Sequence, residues 1–111
     1  MIDDVFCKII KGELKTDEVY RDDDVLVIRD IKPQAPVHLL VMPIEHVDGV
    51  SDASPELLGK LIATAHKVAQ REGLTRGYRL ILNEGEHGGK LVPHLHIHLL
   101  GGKPLGAKIV A

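Results

Sequence analysis

The stretch Pro93-His94-Leu95-His96-Ile97-His98-Leu99-Leu100 alternates histidine with apolar residues. Side chains on a strand repeat with a period of two, so residues 93–100 are predicted to form a strand with three imidazoles on one face and Leu95, Ile97 and Leu99 on the other. One face is then core and the other is chemical. At about 3.3 Å per residue, the Cα atoms of His94 and His98 stand about 13 Å apart, and each is about 6.6 Å from His96. Rings spaced in this way cannot act equally on one atom. The spacing therefore nominates His96 for chemistry and its neighbours for orienting it or holding the edge of a ligand.

Outward from this stretch, residues 78–84 are a second predicted strand, joined to it through Gly85-Glu86-His87-Gly88-Gly89-Lys90. Upstream, Ser54-Pro55 is a helix start, a capping side chain followed by proline at the first helical position, and the helix is expected to run to about Glu72 before Gly73. Leu57, Leu58, Leu61, Ile62, Ala65, Val68 and Ala69 recur along it with helical spacing, a stripe that needs a sheet to cover. His66 within this helix reads as a surface or partly buried structural residue. Three more β-rich stretches, 19–20, 25–30 and 37–42, are separated by links too short for parallel crossovers. Asp22-Asp23-Asp24 reads as a solvated hairpin turn. At the N-terminus, Asp3 or Asp4 caps a short helix through Ile10, with Gly12 as its stop. The order of short helix, three strands, long helix and two strands predicts an α+β fold, an antiparallel five-stranded sheet with a helix across one face.

The 111-residue chain is expected to be one domain, 1–111. A net charge of −2 gives no electrostatic case for nucleic acid or an anionic membrane, so any anionic ligand must be held locally. No stretch of 18 apolar residues and no basic, apolar leader is present, and a cytoplasmic location is expected. The single cysteine, Cys7, has no partner within the chain for a disulfide and reads as a half-buried structural thiol.

Two chemistries compete for the histidine stretch. One is a metal held by neighbouring imidazoles, which needs a further ligand that His38 is able to supply. The other is an imidazole nucleophile whose second nitrogen is fixed by a backbone carbonyl or another imidazole, while the remaining histidines donate to phosphoryl oxygens. The glycines of 85–89 permit close backbone approach to an anion, or form a simple turn. Asp30, at the end of an apolar run, is suited to accept hydrogen bonds from vicinal hydroxyls or to cap the strand end. His46 and His87 look unremarkable in loops.

His94 to Leu100 resembles the pattern of the histidine triad family. Val5-Phe6-Cys7-Lys8-Ile9-Ile10, the run from Asp30 to His38, and Asn83-Glu84-Gly85 are similar to successive blocks of its Hint branch, so nearly the whole chain is covered. The resemblance implies a homodimer whose two five-stranded sheets join, and metal-free hydrolysis of purine nucleoside phosphoramidates or aminoacyl adenylates with release of AMP. It implies His96 as nucleophile, His98 as phosphate contact, His94 and His38 as supporting histidines, and Asp30 and Ile31 as ribose and base contacts. Val5, Phe6, Ile9 and Ile28 would line the base pocket. Asn83 and the turn Gly89, Lys90, Leu91 would lie on the phosphate side. Lys90 and Leu91 depart from the glutamine and polar residue common there, and Lys90 is expected to add positive charge near the leaving group. Some relatives hold zinc through a cysteine pair near the N-terminus. Asp4 stands where the first cysteine would be, so neither a zinc nor any cofactor is expected. The other readings are a dinucleoside polyphosphate hydrolase, as in the Fhit branch, and a nucleotide-binding regulatory module.

Overall fold

A computed structural model describes residues 4–107. In chain order it contains helix α1 (Val5–Ile10), strands β1 (Glu18–Arg21), β2 (Val25–Arg29) and β3 (Val37–Pro43), a 3-10 turn (Val50–Asp52), helix α2 (Pro55–Arg71), and strands β4 (Tyr78–Ile81) and β5 (Ile97–Gly101). The strands form one antiparallel sheet in the order β1-β2-β3-β5-β4. The expected α+β architecture is therefore the one observed.

Local chemistry sets the ends of these elements. Asp4 Oδ1 accepts the Cys7 N–H at 2.7 Å and caps α1, while Ser54 Oγ accepts the Leu57 N–H at 3.1 Å and caps α2. Asp22 Oδ1 accepts the N–H groups of Asp24 and Val25, both at 2.8 Å, so the acidic run builds the β1-β2 turn.

Strands β2 and β3 are buried on both faces, which is why they read as continuous apolar runs. On one face, Leu61, Ala65, Val68 and Ala69 of α2 join Val25, Val27, Leu39, Val41, Ile97 and Leu99 in a single core. On the other, Phe6 of α1 shares a smaller core with Leu26, Ile28, Leu40 and Met42. A helix of six residues cannot cover five strands, and the face it leaves open carries His38, opposite Leu100, and His98, opposite Leu40.

Three elements depart from expectation. β5 starts at Ile97 rather than residue 93, because the preceding backbone bends: the His94 N–H donates to the Val92 carbonyl at 2.8 Å and the Leu95 N–H to the Val47 carbonyl at 2.7 Å. β4 stops at Ile81, and Glu84 instead receives the Val50 N–H at 3.0 Å and the Ser51 hydroxyl at 3.1 Å, tying down the 3-10 turn. Ile62 lies off the buried stripe, 48% exposed. Among the described residues, no helix is long and apolar enough to cross a membrane.

Candidate active site

The bend before β5 separates three histidines that an unbroken strand would have aligned. The His94 ring is fully buried, whereas His96 and His98 are half-buried. The single chemical face expected of residues 93–100 is therefore split: His96 and His98 share one side, with ring centroids 5.2 Å apart, and the His94 ring turns inward. Phe6 stands edge-on between them, 4.9 Å from the His96 ring and 5.7 Å from that of His94.

Hydrogen bonds fix which nitrogen of each ring carries the proton. His96 Nδ1 lies 2.7 Å from the His94 carbonyl oxygen, which only accepts, so Nδ1 holds the proton and Nε2 presents a lone pair. His38 Nδ1 accepts the Gln34 N–H at 3.0 Å, which leaves the His38 proton on Nε2. That Nε2–H faces His98 Nδ1 at 2.9 Å and donates to it. His98 consequently carries its proton on Nε2. Two neighbouring rings are thus held in opposite roles, His96 with a free lone pair and His98 with a free N–H.

Burial pushes the His98 pKa below its ordinary 6.5, and neighbouring His96 and His38 push it the same way against the pull of Asp30. The neutral form that the hydrogen-bond chain requires is the form the environment favours. Asp30 sits at the end of this chain, with Oδ2 3.5 Å from His38 Nε2 and Oδ1 accepting the Lys32 N–H at 2.8 Å. Its Oδ2 retains acceptor capacity toward a ligand hydroxyl.

The remaining expected contacts fall into two groups. Val5 is 43% exposed and Ile9 half-buried beside Phe6, whereas Ile28 is 2% exposed and forms floor rather than wall. Ile31 and Leu91 are almost fully exposed, at 87% and 93%. In the glycine turn, Asn83 Nδ2 donates to the Gly88 carbonyl at 2.6 Å, which commits one amide proton to the turn itself. Gly88 is required there, since a Cβ would stand 2.2 Å from the Glu84 carbonyl oxygen.

Lys90, expected to add positive charge near a leaving group, is engaged within the protein. Its ammonium donates to the Asp48 carbonyl and lies beside the Glu84 carboxylate. The hydrogen bonds from Val50 and Ser51 and the charge of Lys90 hold that carboxyl below its ordinary range, against a smaller opposing effect of desolvation. A buried-facing carbonyl and a carboxylate outcompete solvent for the amine, so Lys90 braces the 48–51 loop.

A second cluster, which the pattern of the sequence did not reveal, surrounds the inward-turned His94 ring. Asp4, Cys7, His46 and His94 bring one ligand-type atom each to within 4.8 Å of one another. Cys7 Sγ is 3.2 Å from His46 Nδ1 and 3.7 Å from His94 Nδ1, although 39 and 87 residues separate them in sequence. His66, by contrast, pairs with Tyr78 at the surface. A surface hollow of about 410 Å³ lies at the other end of β5, between Gly73–Gly77 and Gly102–Pro104, and no imidazole lines it.

Residues 11–105 match the HIT domain. The chain belongs to the HIT family. It is 50% identical over 106 residues to the purine nucleoside phosphoramidase of Escherichia coli strain K12, covering 92% of this chain and 89% of that protein, which places it in the Hint-like branch. A HIT family hydrolase from Clostridium thermocellum superposes with a TM-score of 0.93 at 45% identity, covering 99% of each chain. A zinc-bound histidine triad protein from Mycobacterium smegmatis superposes with a TM-score of 0.83 at 32% identity, covering 96% of this chain and 78% of that one.

Proposed function

We propose that this HIT protein hydrolyses purine nucleoside 5′-phosphoramidates, or the related aminoacyl adenylates, and releases AMP through a nucleotidyl-His96 intermediate. The observation that carries the reading is the opposed proton placement on His96 and His98. With Nδ1–H anchored on the His94 carbonyl, His96 offers Nε2 to phosphorus, and the imidazolium formed by attack is stabilised by the same carbonyl. His98 Nε2–H donates to a phosphoryl oxygen as its charge grows, and the His38 Nε2–H behind it keeps the ring in that tautomer.

The P–N bond breaks as the N–P bond to His96 forms, and the electron pair leaves on the amine nitrogen, which takes up a proton. Water then attacks the same phosphorus, loses its proton, and returns His96 with AMP released. Asp30 Oδ2 receives a ribose hydroxyl, and Val5, Phe6 and Ile9 give the purine an apolar surface over the floor made by Ile28. Ile31 and Leu91 are covered only when ligand is present. Asn83 and Gly89 contribute mainly from the turn backbone, and Lys90 acts by bracing the loop.

The Asp4–Cys7–His46–His94 group fits a metal closed off by four protein donors. Such a site has no open position for substrate, so a cation there would hold structure, and no step above passes through it.

The active form is a homodimer. Strand β4 is an edge strand, with one side unpaired, and Ile81 on it and Ile62 on α2 are large, exposed apolar residues. Pairing β4 with its copy would join two five-stranded sheets.

Turnover of adenosine 5′-phosphoramidate compared with diadenosine triphosphate tests the substrate class. At least tenfold higher kcat/KM for the phosphoramidate is the expected result. The reverse preference would move the protein to dinucleoside polyphosphate hydrolysis, and no turnover of either would favour a nucleotide-binding regulatory role.

A further inference from the structure

Beyond the C-terminal end of β5, the hollow of about 410 Å³ adjoins a second of about 290 Å³, and the two share a rim made by Arg76, Gly77, Lys103 and Pro104. Backbone geometry builds the walls. Past the end of α2, Gly73 takes a positive φ of 76°, the Thr75 N–H donates to the Gly73 carbonyl at 2.8 Å, and the chain turns again at Gly77, with φ 112°. Gly102, at φ 95°, turns the chain out of β5 and brings Lys103 into the same hollow. A Cβ at Gly73 or Gly77 would meet nothing within 4 Å, so this wall is open backbone that a ligand can approach closely. The floor is closed, because Leu74 sits so tightly on β5 that a Cβ at Gly101 would stand 2.9 Å from its Cδ1.

The charge around these hollows is one-sided. Arg76 and Lys103 line both and Arg79 lines the smaller, while no carboxylate lines either. Arg76 and Lys103 are exposed, and among the described residues neither is paired with an acid. Glu72, the acidic residue just before the turn, is held by Arg29 of β2 at 3.0 Å instead. Arg79 spends one N–H on the Gly106 carbonyl, and a guanidinium has five. Elsewhere the cations are matched, Arg21 with Glu18, Lys60 with Asp24 and Lys90 beside Glu84. In a chain of net charge −2, three cations around one pair of hollows repel one another until an anion stands between them.

We infer that the two hollows bind a small polyanion of two or more linked phosphate groups, one phosphate on the shared rim between Arg76 and Lys103 and the next at Arg79. A guanidinium presents paired N–H donors to two phosphate oxygens, and the ammonium adds a compact charge beside them. Orthophosphate engages the rim alone, so the site discriminates by the number of linked phosphates. The larger hollow takes no residue from β4, and pairing of that edge with a second copy leaves its lining as described. It lies at the opposite end of β5 from His96, and the inference does not rest on the proposed reaction.

Calorimetry on the full chain, with excess AMP filling the nucleotide site, reads the binding of orthophosphate, pyrophosphate and ATP at low salt. One pyrophosphate per chain is expected, about tenfold tighter than orthophosphate and weakening as salt rises, because the cations are exposed. ATP bound as tightly as pyrophosphate identifies the ligand as a nucleoside polyphosphate, whereas pyrophosphate bound and ATP refused identifies an inorganic one. Arg76→Gln and Lys103→Gln should each weaken pyrophosphate about tenfold, and Arg79→Gln should bring it to the affinity of orthophosphate. Lys103→Arg should retain binding. Lys15→Gln removes the same charge from an exposed residue outside both hollows and should change nothing. Turnover of adenosine 5′-phosphoramidate should be unchanged in Arg76→Gln and Lys103→Gln, so failure of the proposed reaction and failure of this site are read separately. Absence of pyrophosphate binding, an equal loss in Lys15→Gln, or displacement of pyrophosphate by added AMP would overturn the proposal, the last placing the anion among the histidines.

Discussion

The two histidine clusters use the same side chains under opposite electrostatic arrangements. In the chain Gln34–His38–His98, each donor meets an acceptor, so protons alone satisfy the groups and the last N–H is delivered to the ligand face. In the Asp4–Cys7–His46–His94 cluster, both ring protons are spent outward and acceptors face acceptors. The first arrangement is suited to handling charge on a substrate, and the second to holding a cation. His94 and His96, two residues apart, fall into different clusters because the backbone bends at Val92 before β5 begins. The contrast teaches that alternation of histidines sets their proximity, while the partners of their second nitrogens set their roles.

Removing the lone pair at His96 is the strongest way to break the active half of the contrast. His96→Ala should lower kcat by roughly 10⁴-fold or more while AMP still binds, measured by single-turnover kinetics and calorimetry. His38→Ala should be milder. It frees the His98 tautomer without removing the donor, and a fall of about 10- to 100-fold in kcat with little change in KM is expected.

Acid provides a third separation. The folded pKa of His98 is depressed, so the folded protein resists a proton that the unfolded chain accepts near 6.5. Stability from this group is complete above that value and is lost as pH falls below it, by at most about 1.4 kcal/mol per pH unit. Thermal midpoints measured downward from pH 7 should decline more steeply in the unaltered protein than in His98→Asn. The smallest effect is expected at Lys90. Because its ammonium rests on the Asp48 carbonyl, Lys90→Gln should leave turnover near that of the unaltered protein and cost about 1 kcal/mol of stability.

Much of the fold was legible because local signals agreed. The Ser54-Pro55 start, the Asp22-Asp23-Asp24 turn and the apolar runs of β2 and β3 each announced an element that formed where expected. Spacing nominated His96, and Asp30 and His38 were singled out in their own segments before the resemblance gave them roles; the structure brings Asp30, His38 and His98 together. The inward turn of His94 was not legible, since it depends on a bend set by hydrogen bonds to Val92 and Val47 rather than on the alternating pattern. Cys7 and His46 were set aside because each is unremarkable in its own segment; only the packing of α1 against the segments after β3 and before β5 brings them together. Lys90 was placed by its charge alone, and the competing acceptors on the 48–51 loop were invisible in sequence. Residues 108–111, in a tail expected to meet the leaving group, lie outside the described residues.

In the proposed reaction His96 Nε2 becomes covalently bonded to the nucleotide phosphorus. Rapid quenching of the protein with adenosine 5′-phosphoramidate labelled at phosphorus, followed by peptide mapping under conditions that preserve phosphohistidine linkages, measures this directly. Label is expected on His96 alone, appearing before free AMP and absent in His96→Ala. Label on His94, His98 or His38, or turnover with no protein-bound label at the earliest times, would contradict it.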